Sequence, residues 1–534
     1  MQDTLADGCR LIVIDPRRTH VAAHADWHLQ PKPGHDVGIL SAMIKIVVTE
    51  GLCDDAFVTD HVAGVPDLTE LLRDVDVEQI CDAAGIDADD LRAATRAYAT
   101  AGRGYAMAGT GPNMGGRGTL VEYLVLVLET LLGHWLRAGA TVAAPPVLAA
   151  SYTAVAEAVD LDESWGMEPR LGARGLRMTR AGLPTAAAAD EMIGGRIRAL
   201  ISWSGNPVAA FPDQPRVLAG LEQLDLLVQI DPWYSQTARL ADYVIAPTMP
   251  LEVPVTTAGT EMITRKGTGY GFGAPYGNYS PPVVGRPPGS DLIEEWEFFY
   301  GILKRLGVPV EVMPFAGGDG ARKVVLDRKP TTDELIELMS VGSRVPLDVV
   351  KAHGAGGVYP DDPLVVQPPS GESRGRLHLS HPVMMDDLRD ELGRVASSPA
   401  DAAGRGFHLV CRRANHILNT TVSDVSRREH PPYNPVFLNP TDMAAGGIEA
   451  GASVRIESSL GAITAIAQAD MNLRPGVASM AFAYGGSPAA VDDPEDRDHP
   501  TVNELISAEE FFDPYTGQPR MTGVPVDIGL ATAG

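Results

Sequence analysis

Cysteine is scarce in this chain: four in 534 residues, at positions 9, 53, 81 and 411, with no CxxC pair among them. That spacing offers no zinc or iron–sulfur ligand set and no disulfide framework, so reduced thiols in the core are expected, Cys9 included. Long apolar runs are also missing. No stretch reaches the roughly 18 residues a membrane span needs, and the N-terminal MQDTLADGCRL lacks a basic start followed by an apolar core, so no export signal and a cytoplasmic location are expected. Positive charge is in the minority, 43 Lys and Arg against 69 Asp and Glu, for a net charge of -26. A chain so acidic is unsuited to nucleic acid or anionic membranes, whereas small phosphate-bearing ligands stay open to local arginines. No GxGxxG follows a strand with a helix and an acid behind it, which argues against an NAD-dependent dehydrogenase.

What is present begins with Cys9 to Asp36, CRLIVIDPRRTHVAAHADWHLQPKPGHD. Leu11 to Ile14 is short, apolar and β-branched, and so reads as a buried parallel strand. Asp15, Pro16, Arg17, Arg18 and Thr19 stand at its C-terminal end, where open α/β sheets place ligands. An acid there suits ribose or base hydroxyls, and two guanidinium forks suit phosphate oxygens. Gly34, His35 and Asp36 then precede a helix predicted from Val37 to Val48, so a turn presents amides to an anion. A surface turn with solvated arginines is the plain alternative.

Further along, Gly85 to Thr95 predicts the start of a helix capped by Asp87 or Asp89. Tyr105 to Ala108 predicts a small-residue strand running into a glycine-rich turn, Gly109 to Gly118, and Leu120 to Leu132 predicts an apolar helix. From Ile197 the pattern alternates. Strands are expected at Ile197–Trp203, Asp225–Ile230 and Tyr243–Ala246, helices at Gln214–Leu221, Ser235–Leu240 and Trp296–Leu306. Such alternation implies βαβ units and a parallel sheet. Asn206 and Asp231 follow two of those strands; Asn can read a heterocycle edge, or simply close an Asn-Pro turn. Gly267 to Pro288 reads as a long ordered loop.

The last part changes character. A strand is predicted at Arg376–Ser380, and a domain boundary between Asp387 and Gly404. Short strands at Val436–Asn439, Ser453–Ser458 and Ala462–Gln468 then describe an all-β module. Before them, FHLVCRRANHILNTT (407 to 421) crowds Arg412, Arg413, Asn415, His416, Asn419 and Thr420 after a strand, a set that suits an anion or a heterocycle as well as it suits a solvated loop.

The order of these pieces resembles the molybdopterin oxidoreductases of the dimethyl-sulfoxide-reductase family, formate dehydrogenases and nitrate reductases among them. The DPRRT strand, the PGHD turn, SWSGNPVAAFPD, LDLLVQIDPWYSQTARLADYVIAPT, Asn439 to Gly461, and the closing Val502-Asn503-Glu504-Leu505 and Asp513 to Pro519 carry the likeness. By resemblance the fold is α/β, with Rossmann-like parallel-sheet layers in 1–185 and 186–310, a connecting region in 311–400 and a double-psi β-barrel in 401–534. The resemblance implies a bis(molybdopterin guanine dinucleotide) cofactor carrying molybdenum or tungsten and performing two-electron or oxygen-atom transfer on a small redox substrate. The cofactor contacts it implies are Asp15, Pro16, Arg17, Arg18, Thr19, Gly34, His35, Asp36, Thr110, Gly111, Met114, Asn206, Ile230, Asp231, Arg413, Asn415, His416, Asn419, Thr420, Asn503 and Gln518. Departures stand at Thr110, Met114, His134, Ala138 and Val253, where the family usually carries Met, Gln, Asn, Pro and Lys. The family's iron–sulfur cysteines and metal ligand precede its DPRRT strand, so neither a cluster nor a metal ligand is expected in this chain. The expectation is therefore the C-terminal portion of an enzyme whose activity depends on a further N-terminal fragment or an electron-transfer subunit. The alternative is a scaffold subunit that keeps the fold without catalysis.

Overall fold

The computed structural model describes residues 2–158, 167–179, 182–264, 274–314, 324–371, 375–397, 405–414, 420, 433–483 and 501–531. The first unit is built on helices. Asp36–Thr49 packs against Gly118–Leu131, and Val77–Ala84, Ala88–Ala99 and Pro382–Ser397 close around them. Ile39, Ile44, Leu68, Leu91, Leu120, Leu124 and Leu128 are buried in their common core, which removes apolar surface from water at roughly 25 cal/mol per Å². Asp87 caps its helix by accepting from the backbone N–H groups of Asp89 (2.8 Å) and Asp90 (3.0 Å). At the edge of this unit, strand Ile12–Ile14 pairs in parallel with Trp27–Leu29.

Strand Leu377–His378 pairs with Val62–Ala63, and Leu379, Met385 and Leu388 are buried in the first core. Residues 375–397 thus join the first unit. The helix Pro382–Ser397 runs through most of the span where a boundary was expected, because Met384, Met385 and Leu388 recur at helical spacing and find a core to cover.

The second unit holds the parallel sheet predicted from the alternating pattern: Ala199–Trp203, Leu226–Ile230 and Tyr243–Ile245, in that order across the sheet. Helices Thr185–Ile193 and Gln214–Leu221 cover it, with Met192, Val217 and Leu227 in the core between. Two expectations fail locally. Tyr105–Ala108 forms no strand, since no neighbouring chain among the described residues pairs with it, and Ser235–Leu240 is helical only in the single turn Ala238–Leu240. Within the expected loop Gly267–Pro288, residues 265–273 lie outside the described residues; Tyr276–Gly277 and Tyr279–Ser280 pair with Gly357–Val358 and Val255–Thr256.

The C-terminal unit is a closed six-stranded barrel in the order Phe407–Arg412, Val477–Ala481, Val436–Leu438, Ala462–Ala469, Ser453–Glu457, Thr522–Leu530. Ser453–Glu457 alternates exposed and buried positions, so Val454 and Ile456 meet Leu409, Leu438, Met480 and Val526 inside. Residues 501–521 leave the barrel and stitch the three units together. Ile506 O accepts from Asp213 N (2.8 Å), Glu509 pairs with Arg216 (2.7 Å), and Met114 O accepts from Met521 N (2.8 Å). The α/β architecture with a C-terminal barrel is therefore observed. Cys9 is a correction, because it is exposed rather than in the core, while Cys81 is buried and Cys53 and Cys411 are half-buried. Among the described residues no helix is long and apolar enough to cross a membrane.

Candidate functional site

The DPRRT turn lies against the barrel. Arg18 N donates to Asn472 O (2.8 Å), and Arg474 N donates to Pro16 O (3.0 Å). Asp470 ties two arginines to this junction: Arg412 at 2.7 Å, its guanidinium 4.1 Å from the Phe437 ring centre, and Arg17 at 3.6 Å. Burial pulls the Arg412 pKa down, and burial raises that of Asp15, whose carboxylate accepts from Arg17 N at 2.8 Å. Arg18 points into solvent, and Thr19 caps the next turn by accepting from Ala22 N (3.2 Å).

Beside this junction a cavity of about 300 Å³ is shared by three segments distant in sequence. Gly34, His35 and Asp36 form one side, Pro112 and Gly115 to Arg117 another, and His408, Phe511, Arg520 and Thr522 the third. Gly34 has φ +90 with open space where a side chain would stand, so backbone is presented directly to the cavity. Gly116 has φ +85, and a Cβ there would come within 3.0 Å of Phe511 O, so the turn and the barrel strap approach as closely as they do only with glycine. Burial raises the pKa of Asp36, and the nearby Asp15 charge adds to it.

The cavity's cations are unequally matched. Glu391 binds Arg394 (2.5 Å) and Arg117 (3.4 Å). Arg520 stacks on Phe511, 4.2 Å from the ring centre, and has no carboxylate in ion-pair reach among the described residues. Burial, with repulsion from Arg394, pulls its pKa down to about 10 against the attraction of Glu510. A stacked guanidinium in no ion pair among the described residues can accept an anion.

A second group stands at the strand ends of the parallel sheet. Asn206 is buried; its Nδ2 donates to Gln236 (2.7 Å), and its Oδ1 accepts from Thr237 Oγ1 (2.7 Å) and Thr237 N (3.2 Å). Asp231 accepts from Trp233 N (2.8 Å) and Gln229 Nε2 (3.2 Å), with its pKa raised by burial. Ile230 is a core side chain whose carbonyl accepts from Ser204 N (3.0 Å). Asn503 is fully buried and donates to Ala209 O (2.6 Å), which ties the strap to the turn after Asn206.

Of the contacts expected from sequence, Gly34, His35 and Asp36 meet at the cavity, and Asp15, Pro16 and Arg17 lie at the adjoining junction. Gly111 and Met114 belong to the turn that forms one wall, Met114 also packing on the barrel core. Thr110 and Arg413 are exposed. Gln518 borders a different cavity, of about 790 Å³, with Asn113, Thr119 and His381. Thr420 is described, but Asn415, His416 and Asn419 lie outside the described residues. Sequence reasoning missed Arg520, Arg394, Arg117 and His408. Only the Arg directly after Gln518-Pro519 gave any signal, two residues beyond a position already singled out.

Residues 407–525 match the molydopterin dinucleotide binding domain. The chain is 26% identical over 339 residues to acetylene hydratase of Syntrophotalea acetylenica, covering 58% of this chain and 44% of that protein. It is 23% identical over 509 residues to the F420-dependent formate dehydrogenase subunit alpha of Methanocaldococcus jannaschii, covering 89% and 68%. It is also 24% identical over 322 residues to formate dehydrogenase H of Escherichia coli, covering 57% and 42%. The solved structure of acetylene hydratase from Pelobacter acetylenicus has the same fold, with a TM-score of 0.71 and 19% identity over 99% of this chain and 75% of that one. The chain thus matches between 42% and 68% of the length of these three sequence relatives.

Proposed function

With its kinship to the molybdopterin oxidoreductases of the dimethyl-sulfoxide-reductase family as the premise, we propose that this chain supplies one wall of a bis(molybdopterin guanine dinucleotide) site. Arg520 carries the reading: a half-buried guanidinium stacked on Phe511, in no ion pair among the described residues and lining a cavity with open glycine backbone, suits a phosphate of the dinucleotide. Gly34 and the turn around Gly115 let phosphate approach the backbone. Asp36 and Asp15 offer acceptors to the N–H edge of guanine, a match adenine lacks. The DPRRT junction, held by Asp470, fixes the distance between the first unit and the barrel. In finer terms the parallel sheets are Rossmann-like and the barrel is double-psi.

When bound, the cofactor's molybdenum or tungsten supplies the two-electron or oxygen-atom transfer. The chain's own groups bind, orient and exclude water. Partners in this reading are a small redox substrate and an electron-transfer subunit, or a separately made segment equivalent to the part of the relatives left unmatched.

One observation favours the scaffold alternative. Asn206 is already hydrogen-bonded to Gln236 and Thr237, so that end of the sheet offers a ligand less than its sequence promised. Titration calorimetry with GDP separates the readings. Cofactor binding predicts saturable GDP uptake, no ADP uptake, and a loss of at least about ten-fold in affinity for Arg520→Ala, equivalent to roughly 1.4 kcal/mol. A scaffold binds neither nucleotide.

A further inference from the structure

The helix that leaves the glycine turn, Gly118–Leu131, carries a buried acid near its far end that the cofactor site does not use. Glu129 is 6% exposed. Its Oε1 accepts from Ala106 N at 3.0 Å and from the Tyr98 hydroxyl, and His134 Nδ1 lies 3.6 Å away. Tyr98 and His134 also touch each other, Oη to Nδ1 at 3.3 Å, with their rings edge to face. Gly104 seals the cluster, since a Cβ there would meet the His134 ring at 2.5 Å. Three segments therefore converge on one carboxyl group: the helix Ala88–Ala99 through Tyr98, the stretch after Leu131 through His134, and the extended stretch 104–108 through Ala106.

Among the described residues no lysine or arginine forms an ion pair with Glu129. Arg137 is committed to Asp54 (2.6 Å) and Arg96 to Glu50 (2.7 Å). Burial lowers the His134 pKa and raises that of Glu129 to about 7. Residues 104–108 lead directly into the turn 109–117 that walls the cavity, and they present Tyr105 and Met107 outward, 79% and 71% exposed, with no strand among the described residues paired to them.

We propose that Glu129, seated between Tyr98 and His134, is a proton-controlled latch on the segment that feeds the glycine turn. A protonated Glu129 is at home in the closed cluster. Ionised, it prefers water, and water reaches it when residues 104–108 lift away. Proton uptake closes the latch, and proton loss opens it. The latch stands on this cluster alone; its control of the cofactor wall rests on the function proposed above.

Amide hydrogen exchange of the whole chain, corrected for intrinsic base catalysis, tests the latch. Protection of Ala106 should fall more than about ten-fold between pH 6 and pH 8.5, within the reach of a carboxyl displaced this far from its ordinary pKa. Glu129→Gln, which keeps an acceptor and cannot ionise, should flatten that dependence, and Tyr98→Phe, which spares the acid, should retain it. Protection that does not change with pH in the natural chain overturns the latch, as does an undiminished pH dependence in Glu129→Gln. GDP titration at the two pH values reads the cofactor wall separately: absence of GDP binding at both defeats that reading and leaves the exchange result standing.

Discussion

Removing the Asp513 carboxylate should unfasten the barrel's C-terminal strap from the first unit. Asp513 is 1% exposed. Its Oδ2 accepts from Thr119 N (2.8 Å), and its Oδ1 from Thr119 Oγ1 (2.9 Å), Thr516 N (2.9 Å), Thr516 Oγ1 (3.0 Å) and Tyr515 N (3.1 Å). Thr119 is in the first turn of the helix Gly118–Leu131, so a carboxylate nearly four hundred residues away caps that helix and faces the positive end of its dipole. Asp513→Ala leaves three backbone donors without an acceptor, at about 1–3 kcal/mol for each that stays dry. Tyr515 and Thr516 are open enough to recruit water, so Thr119 N and the lost dipole contact dominate, for a total near 3 kcal/mol. Asp513→Asn keeps one acceptor and should lose roughly half as much. Urea unfolding followed by circular dichroism reads the loss, and amide exchange at Thr119 locates it. An Asp513→Ala chain with an unchanged midpoint and a Thr119 amide still protected would refute this account of the strap.

Other perturbations follow from the same structure. Glu261 accepts from Val147 N (2.9 Å), Leu148 N (2.6 Å) and Ala149 N (3.0 Å), so Glu261→Ala should destabilise by about 3–5 kcal/mol; an undiminished urea midpoint would contradict it. The Glu129 pKa stands near 7 in the folded chain, above its ordinary 4.5. The stability it contributes is therefore full below pH 4.5 and lost as pH climbs through 7, by up to roughly 3 kcal/mol; Glu129→Gln should abolish this slope in melts taken from pH 5 to 8. Iodoacetamide should modify exposed Cys9 first and reach Cys81 and Cys411 only on unfolding, because burial pushes those thiols up to about 11 and about 12. Peptide mapping after brief labelling checks the order.

Local chemistry made much of this architecture readable in advance. Short apolar runs alternating with helical stretches could be assigned as strands from 197 to 245, and the short strands from 436 to 468 announced an all-β module. Tyr105–Ala108 has the composition of a strand, yet a strand exists only with a hydrogen-bonded neighbour, which no window of sequence contains. The candidate site was legible where it sits at an element's end, as at Gly34 to Asp36. It was illegible where its meaning depends on what lies opposite. Asn206 and Asp231 have the chemistry to bind a ligand, but their hydrogen bonds go to Gln236, Thr237, Trp233 and Gln229. Arg412 and Arg520 look alike in sequence. One meets Asp470; among the described residues the other forms no ion pair and stacks on Phe511, a difference in partners that only the folded chain displays.

The central claim is that the cavity around Arg520 holds the phosphate of a guanine dinucleotide. The direct measurement is the GMP released by acid from the chain purified out of a host that makes molybdenum cofactor, quantified against protein. GMP should be recovered from the natural chain and fall at least about ten-fold in Arg520→Glu, where the mismatched cation becomes a repelling anion. No GMP from the natural chain, or an equal yield from Arg520→Glu with its circular dichroism intact, would contradict the claim.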